Sequence, residues 1–158
     1  MADHATAIRN LLYRYTELFD LGRFADAAEL FRHAEIVVGR DGTTIDYQAL
    51  LANWQAMVIV DERGSPCTKH VCSNAIIEVA DDALSATARS YYVVNQCTPT
   101  LPLQPIASGR YHDAFECVDG QWRFCRRDYR MLEMIGDMSQ HIRGHENLRP
   151  WQDETPGS

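Results

Sequence analysis

The second half of the chain limits the fold more than any other feature. Thr68 to Val79, Leu84 to Cys97, Ile106 to Val118 and Gln121 to Glu133 read as four long strands in succession. Asp81-Asp82 and Asp119-Gly120 leave room only for short turns, so the strands they join are antiparallel hairpins. The link Thr98 to Pro105 holds Pro99, Pro102 and Pro105. Proline offers no ladder donor, so this link is read as lying outside the central sheet.

The first half has a different period. Ile8, Leu11, Leu12, Tyr15, Leu18 and Phe19 recur at steps of three and four, the spacing of one helix face. Asp3 or Thr6 suits its start, and Gly22 suits its stop. Asp20 falls in the last turn, where a carboxylate opposes the helix dipole. That mildly unfavourable placement invites a functional explanation. Phe24, Ala27, Ala28 and Phe31 suggest a short second helix, Glu35 to Arg40 a strand, and Tyr47 to Met57 a third helix. Gly64-Ser65-Pro66 breaks regular structure before the long strands begin. Helices followed by a meander of strands give an α+β class, with the helices on one face of a sheet.

The chain has 158 residues, which is one domain's worth. The domain is placed at residues 1–143, with a polar, frayed tail at 144–158. Fifteen Lys and Arg against 22 Asp and Glu give a net charge of −7, which argues against nucleic acid as a partner. No apolar run approaches the roughly 20 residues of a membrane span, so no membrane partner is expected. Met1-Ala2-Asp3-His4 does not open a secretory signal, and the expected location is cytoplasmic. The five cysteines form no CxxC pair, so reduced thiols are expected rather than disulfides or a zinc site.

Several polar residues fall where chemistry is feasible. Alternation along the first long strand groups Val71 with Ala75, Ile77 and Val79, and His70 with Cys72, Asn74 and Ile76. His70 opens that strand and suits a general base, and Asp20 suits a carboxylate that orients it. Spacing alone does not bring the two together. In the third strand Gly109, Tyr111, Asp113 and Phe115 share the inward face, which makes Asp113 a buried carboxylate in need of a partner. Alternation in the last strand places Arg127 with Arg123 and Cys125, and Trp122 with Phe124 and Arg126. His141 and His145 have the i, i+4 spacing of a metal pair, but Gly144 argues against a helix there, and no metal site is expected. No GxGxxG, Walker loop or GxSxG is present, so nucleotide binding and serine hydrolysis lack support.

The opening helices with "LFDLGRFADAAELF", the "TKH" strand start and "GRYHDAFECVDGQWRF" together resemble the SnoaL-like branch of the nuclear-transport-factor-2-like superfold, over residues 5 to 133. The resemblance implies a cone-like α+β barrel, in which a curved, mostly antiparallel sheet wraps the N-terminal helices around a hydrophobic pocket. Within this branch the chain is similar to the scytalone dehydratases and the hexachlorocyclohexane dehydrochlorinases. Both pair an Asp near the end of the first helix with a His near the start of a long strand, and Asp20 and His70 match those positions. Arg127 matches the dehydrochlorinase Arg, while its Lys is Tyr15 here. The second His of the dehydratase falls at Asn95, and its pocket Ser and Asn fall at Gly109 and Tyr111. Its two pocket tyrosines fall at Phe19 and Gly39.

The resemblance therefore implies a cofactor-free lyase or isomerase acting on a small hydrophobic, cyclic carbonyl compound. Asp20 and His70 are the expected catalytic pair. Tyr15, Asn95, Tyr111, Asp113 and Arg127 are the expected substrate-binding residues. A homodimer or homotrimer is expected. Two alternatives stay open: a non-catalytic small subunit of a ring-hydroxylating dioxygenase, and a polyketide-cyclase or ketosteroid-isomerase-like enzyme with Asp113 as the base.

Overall fold

The computed structural model describes residues 3–152. Its elements run in the expected order: α1 (His4–Asp20), α2 (Phe24–Glu29), β1 (Glu35–Val37), β2 (Thr44–Ile45), α3 (Tyr47–Met57), β3 (Thr68–Val79), β4 (Ser85–Thr98), β5 (Leu101–Val118), β6 (Gln121–Asp128) and β7 (Leu132–Ile135). Among these residues no helix is long and apolar enough to cross a membrane.

Capping explains where the longer helices begin. The Asp3 carboxylate accepts from Ala5 N, and Asp46 accepts from Ala49 N at 2.8 Å, so each satisfies an otherwise unpaired first-turn donor. The face of α1 that the period of three and four marks is the one buried: Ile8, Leu12, Tyr15, Leu18 and Phe19. Each such side chain, taken fully out of water, contributes about 1.5–3 kcal/mol.

The sheet order is β2-β1-β6-β5-β4-β3, with β7 also paired to β5. All pairings are antiparallel except β1 with β6. The expected barrel is an open cone, because β2 and β3 end the sheet without pairing to each other. Helices fill its concave side, where α1 lies against β3.

Strict alternation misplaces several residues, and in each case a bulge is the cause. Asn74, at φ +54°, sits in a register shift between Ser73 and Ile76. His70 and Cys72 therefore face inward before it, and Ala75, Ile77 and Val79 after it. Val71, expected on the Ala75 face, points outward and is 49% exposed. A second bulge at Cys125 pairs Phe115 with Phe124 but Ala114 with Arg126. Arg127 is thereby turned inward beside Phe124, not outward with Arg123.

The strand ends differ too. The third long strand begins at Leu101, so Pro102 and Pro105 lie within it. Over residues 101–105 the ladder partner is β4 alone, and Pro105 adjoins the register shift at Ile106, so neither proline interrupts a central ladder. The last strand breaks at residues 129–131. There the Met131 carbonyl crosses Gly109 so closely that a Cβ on Gly109 would lie 2.0 Å from it. The tail is docked as far as the structure describes it. Arg40 donates to the Arg149 and Pro150 carbonyls, Trp151 N donates to Leu132 O, and Arg40 and Arg130 lie over the Trp151 ring. Residues 153–158, the end of the expected tail, lie outside the described residues.

One glycine brings the two halves together. Gly22 follows α1 with φ +73°, and a Cβ on it would lie 1.9 Å from the Gly64 carbonyl oxygen. The turn after α1 thus packs against the breaker before β3, which sets Asp20 beside Thr68 and His70. Gly22→Ala meets both a left-handed backbone and a backbone clash, so it is expected to cost about 2 kcal/mol or more, read as a lower urea midpoint. An unchanged midpoint contradicts this account of how α1 meets β3.

Candidate active site

At the end of α1 the Asp20 carboxylate gathers three donors from the start of β3. Thr68 Oγ1 donates to Oδ1 at 2.8 Å, His70 N donates to Oδ2 at 2.7 Å, and the His70 ring meets Oδ1 through Nδ1 at 2.6 Å. An ionised carboxylate only accepts, so His70 carries its hydrogen on Nδ1 and leaves the Nε2 lone pair free. Both side chains are buried. The three donors offset the unfavourable position of a carboxylate at a helix C-terminus.

Aromatic rings surround the pair. Phe19 packs edge-on to His70 with ring centroids 5.0 Å apart, and Tyr15 does so at 6.5 Å. Trp54 lies 5.2 Å from Phe19, and Tyr111 lies 6.0 Å from Tyr15. The hydroxyls of Tyr15 and Tyr129 are hydrogen-bonded at 2.7 Å. Burial raises the pKa of Tyr15 and Tyr111 well above the ordinary phenol value, so both stay neutral.

Behind these tyrosines lies a buried ion pair. Arg127 Nε and Nη2 donate to the two Asp113 oxygens at 2.7 and 2.8 Å, and neither side chain is exposed. Burial opposes the charge on Arg127, but the Asp113 carboxylate outweighs it and holds the guanidinium above its ordinary value. Tyr111 and Tyr15 present their faces to it at 4.0 and 4.5 Å. The expectation that Asp113 needs a partner is met. Its role as a base is not supported, because Arg127 engages both oxygens.

Asn95 does not join this group. On β4 the inward residues are Ser90, Tyr92, Val94 and Gln96, while Asn95 pairs with exposed Lys69 on the outer face. Its inward neighbour Gln96 is 1% exposed and pairs across the ladder with Thr68. Gln96 Nε2 donates to the Pro66 and Gln140 carbonyls, and its Oε1 is buried without a partner. It also lines a cleft of about 340 Å³ between residues 59–67 and residues 139–140, which neither Asp20 nor His70 lines.

Sequence reasoning missed the burial of His141 beside Phe19. Its ring is 4% exposed and packs on Phe19 at 6.3 Å, the same ring that His70 meets. Burial, and His70 beside it, push its pKa down to about 4. His145 turns to Glu146 instead, after Gly144 at φ +77° breaks the path between the two histidines. No periodic pattern runs through this strap, so only its histidine spacing was visible.

Residues 1–128 match the family model for the SnoaL-like domain. Comparison with curated proteins gives no match. Among solved structures the chain is similar to a candidate scytalone dehydratase of Novosphingobium aromaticivorans DSM 12444, with 25% identity and a TM-score of 0.59 over 78% of this chain and 80% of that one. It is also similar to a Mycobacterium tuberculosis protein of unknown function, with 25% identity and a TM-score of 0.63 over 85% and 75%. The β subunit of a candidate aromatic-ring-hydroxylating dioxygenase from the same Novosphingobium strain shares the fold, with 20% identity and a TM-score of 0.61 over 87% and 95%.

Two stability measurements probe this interior. Arg127→Met leaves Asp113 buried and unpaired and is expected to cost about 3–5 kcal/mol by urea unfolding, most of it recovered when Asp113→Leu is added. A loss under 1 kcal/mol contradicts the pairing. The second concerns pH. His141 binds a proton more weakly in the folded chain, near 4, than in the unfolded chain, near 6.5. The unfolded state therefore holds more protons between those values, and stability falls as pH drops from about 6.5 to 4, by on the order of 3 kcal/mol from this residue. His141→Phe is expected to flatten that part of the pH profile, and an unaltered slope contradicts it.

Proposed function

We propose that this chain, which belongs to the SnoaL-like domain family, is a lyase or isomerase that removes a proton from carbon next to the carbonyl of a small hydrophobic, cyclic compound. The observation that carries this reading is the Asp20–His70 pair, closed at 2.6 Å inside a ring-lined interior. His70 Nε2 takes the proton. Asp20 holds the tautomer that frees Nε2 and stabilises the imidazolium that forms. No cofactor is required for this step. The likeness to the Novosphingobium candidate scytalone dehydratase supports a dehydratase-type outcome, in which a leaving group then departs from the neighbouring carbon.

The remaining residues fit such a substrate. Phe19 and Tyr15 pack against His70, and Tyr111 against Tyr15, so the base sits among aromatic rings of the kind an apolar cyclic substrate packs on. Arg127 and Asp113 act from behind the tyrosines as a fixed, internally neutralised support rather than as the base. The low dielectric of this interior strengthens the interaction between Asp20 and a protonated His70.

Proton abstraction is measurable without knowing the leaving group. The test is hydrogen–deuterium exchange at the α-carbons of 2-tetralone in D2O, followed by proton NMR. The wild type is expected to exceed the buffer rate. His70→Ala is expected to lose at least about 100-fold of that enhancement while its melting temperature changes little. Exchange that survives His70→Ala overturns the reading.

A further inference from the structure

We propose that His141 is a second catalytic residue, whose ring N–H donates a hydrogen bond to the substrate oxygen on which charge develops as His70 takes the proton from carbon. This inference rests on the general-base reading of His70 and assigns the oxygen of the same substrate a partner.

The first support is an unsatisfied group. His141 Nδ1 is buried and has no hydrogen-bond partner. A buried donor or acceptor left unpaired costs about 1–3 kcal/mol, and native interiors hold few of them. A histidine serving packing alone has no need to carry that cost in a place where Phe fits. Gln96 Oε1, beside the dyad, is buried and unpaired as well. Orphaned polar atoms and the dyad thus share one end of the cone.

The second support is rigid placement. The His141 carbonyl accepts from Ile59 N at 2.8 Å, and its own N–H donates to the Met138 carbonyl at 3.0 Å. Arg143 N donates to the Met57 carbonyl at 2.8 Å, and Gln96 holds the Gln140 carbonyl. The segment 138–143 is thus pinned on both sides of residue 141, so the backbone polar groups of His141 are used while its ring Nδ1 is not. His70 and His141 both pack against Phe19, which places the two imidazoles around one ring. A donor held in advance where charge develops needs no reorganisation during the reaction.

The third support is charge. Burial beside His70 keeps the His141 imidazole neutral. A second cation there would oppose protonation of His70. A neutral imidazole still offers an N–H, a form already known to polarise a carbonyl in triosephosphate isomerase.

The step balances on the groups named. The α C–H bond breaks, its proton joins His70 Nε2, and its electron pair forms the C=C bond of an enolate. The carbonyl π pair moves onto oxygen, which accepts the hydrogen bond from His141. In D2O the His70 proton exchanges with solvent, and deuteron return to carbon restores the ketone.

The experiment compares wild type, His141→Phe and His141→Gln in 2-tetralone exchange. It also follows binding of 2-naphthol, a planar analogue of the enol, with 15N-labelled histidine. Phe keeps the packing and removes the N–H. It is expected to raise the urea midpoint, lower kcat for exchange about 100-fold and leave KM within a few-fold. Gln keeps an N–H donor and is expected to restore part of kcat. Addition of 2-naphthol to the wild type is expected to shift a ring N–H resonance downfield, a change absent from His141→Phe. If His141→Phe retains wild-type kcat while His70→Ala loses exchange, the inference is overturned and the base reading stands. If the wild type only matches buffer, the base reading is overturned. The inference, which rests on that reading, then falls with it. Where wild-type exchange stands, absence of the naphthol resonance overturns the inference alone.

Discussion

The carboxylate of Asp20 is the contact on which the rest of the structure turns. It ends α1, where the helix dipole disfavours it, and it is compensated by three donors that all come from the first residues of β3. Hydrogen bonds to a charged group contribute roughly 1.5–3 kcal/mol each, so the set outweighs a dipole penalty of well under 1 kcal/mol. One carboxylate therefore does two things. It staples the helical half to the start of the sheet, and it sets the tautomer of the histidine beside it. The close approach of Gly22 to Gly64 is the backbone condition for both.

A second charged pair organises the deeper interior. Arg127 and Asp113 satisfy each other through two short hydrogen bonds, and the guanidinium is enclosed by ring faces. Removing one partner is costly, which ties the tyrosine cluster to the sheet. The two pairs are chemically unlike. Both Asp113 oxygens are engaged by a permanent cation, and the pair is fully buried, so its charge is already neutralised. Asp20 faces a group that can gain and lose a proton, so its field has something to act on. That contrast favours His70 over Asp113 as the base within one cone. The neutral His141 adds an N–H to the same end without adding charge.

Much of this was legible in the residues. Helices α1 and α3 follow from the spacing of Ile8, Leu12, Tyr15 and of Tyr47, Leu50, Trp54, and β3 from the run after the Gly64 breaker. Asp20 and His70 were legible through family resemblance, and through the oddity of an acid at a helix C-terminus. What escaped has a common physical cause, since period-two reasoning carries no mark of an inserted residue. The bulges at Asn74 and Cys125 reversed the facing of Val71 and Arg127. Ungapped counting fell one residue from the inward face at Asn95, where Gln96 is the buried neighbour. Pro102 and Pro105 pointed away from a strand because their ladder has a single side, which no local pattern reveals. His141 lies on an aperiodic strap, and its setting is made by partners far away in sequence, at Met57, Ile59 and Gln96.

The central claim is that Asp20 makes His70 a base by holding its proton on Nδ1. Two-bond 15N–1H correlation of the His70 ring, in wild type and in Asp20→Asn, tests it most directly. The account predicts a neutral ring in the Nδ1–H form with an unprotonated Nε2 in the wild type, and loss of that preference in Asp20→Asn. A wild-type ring in the Nε2–H form, or a tautomer preference unchanged by Asp20→Asn, would contradict it.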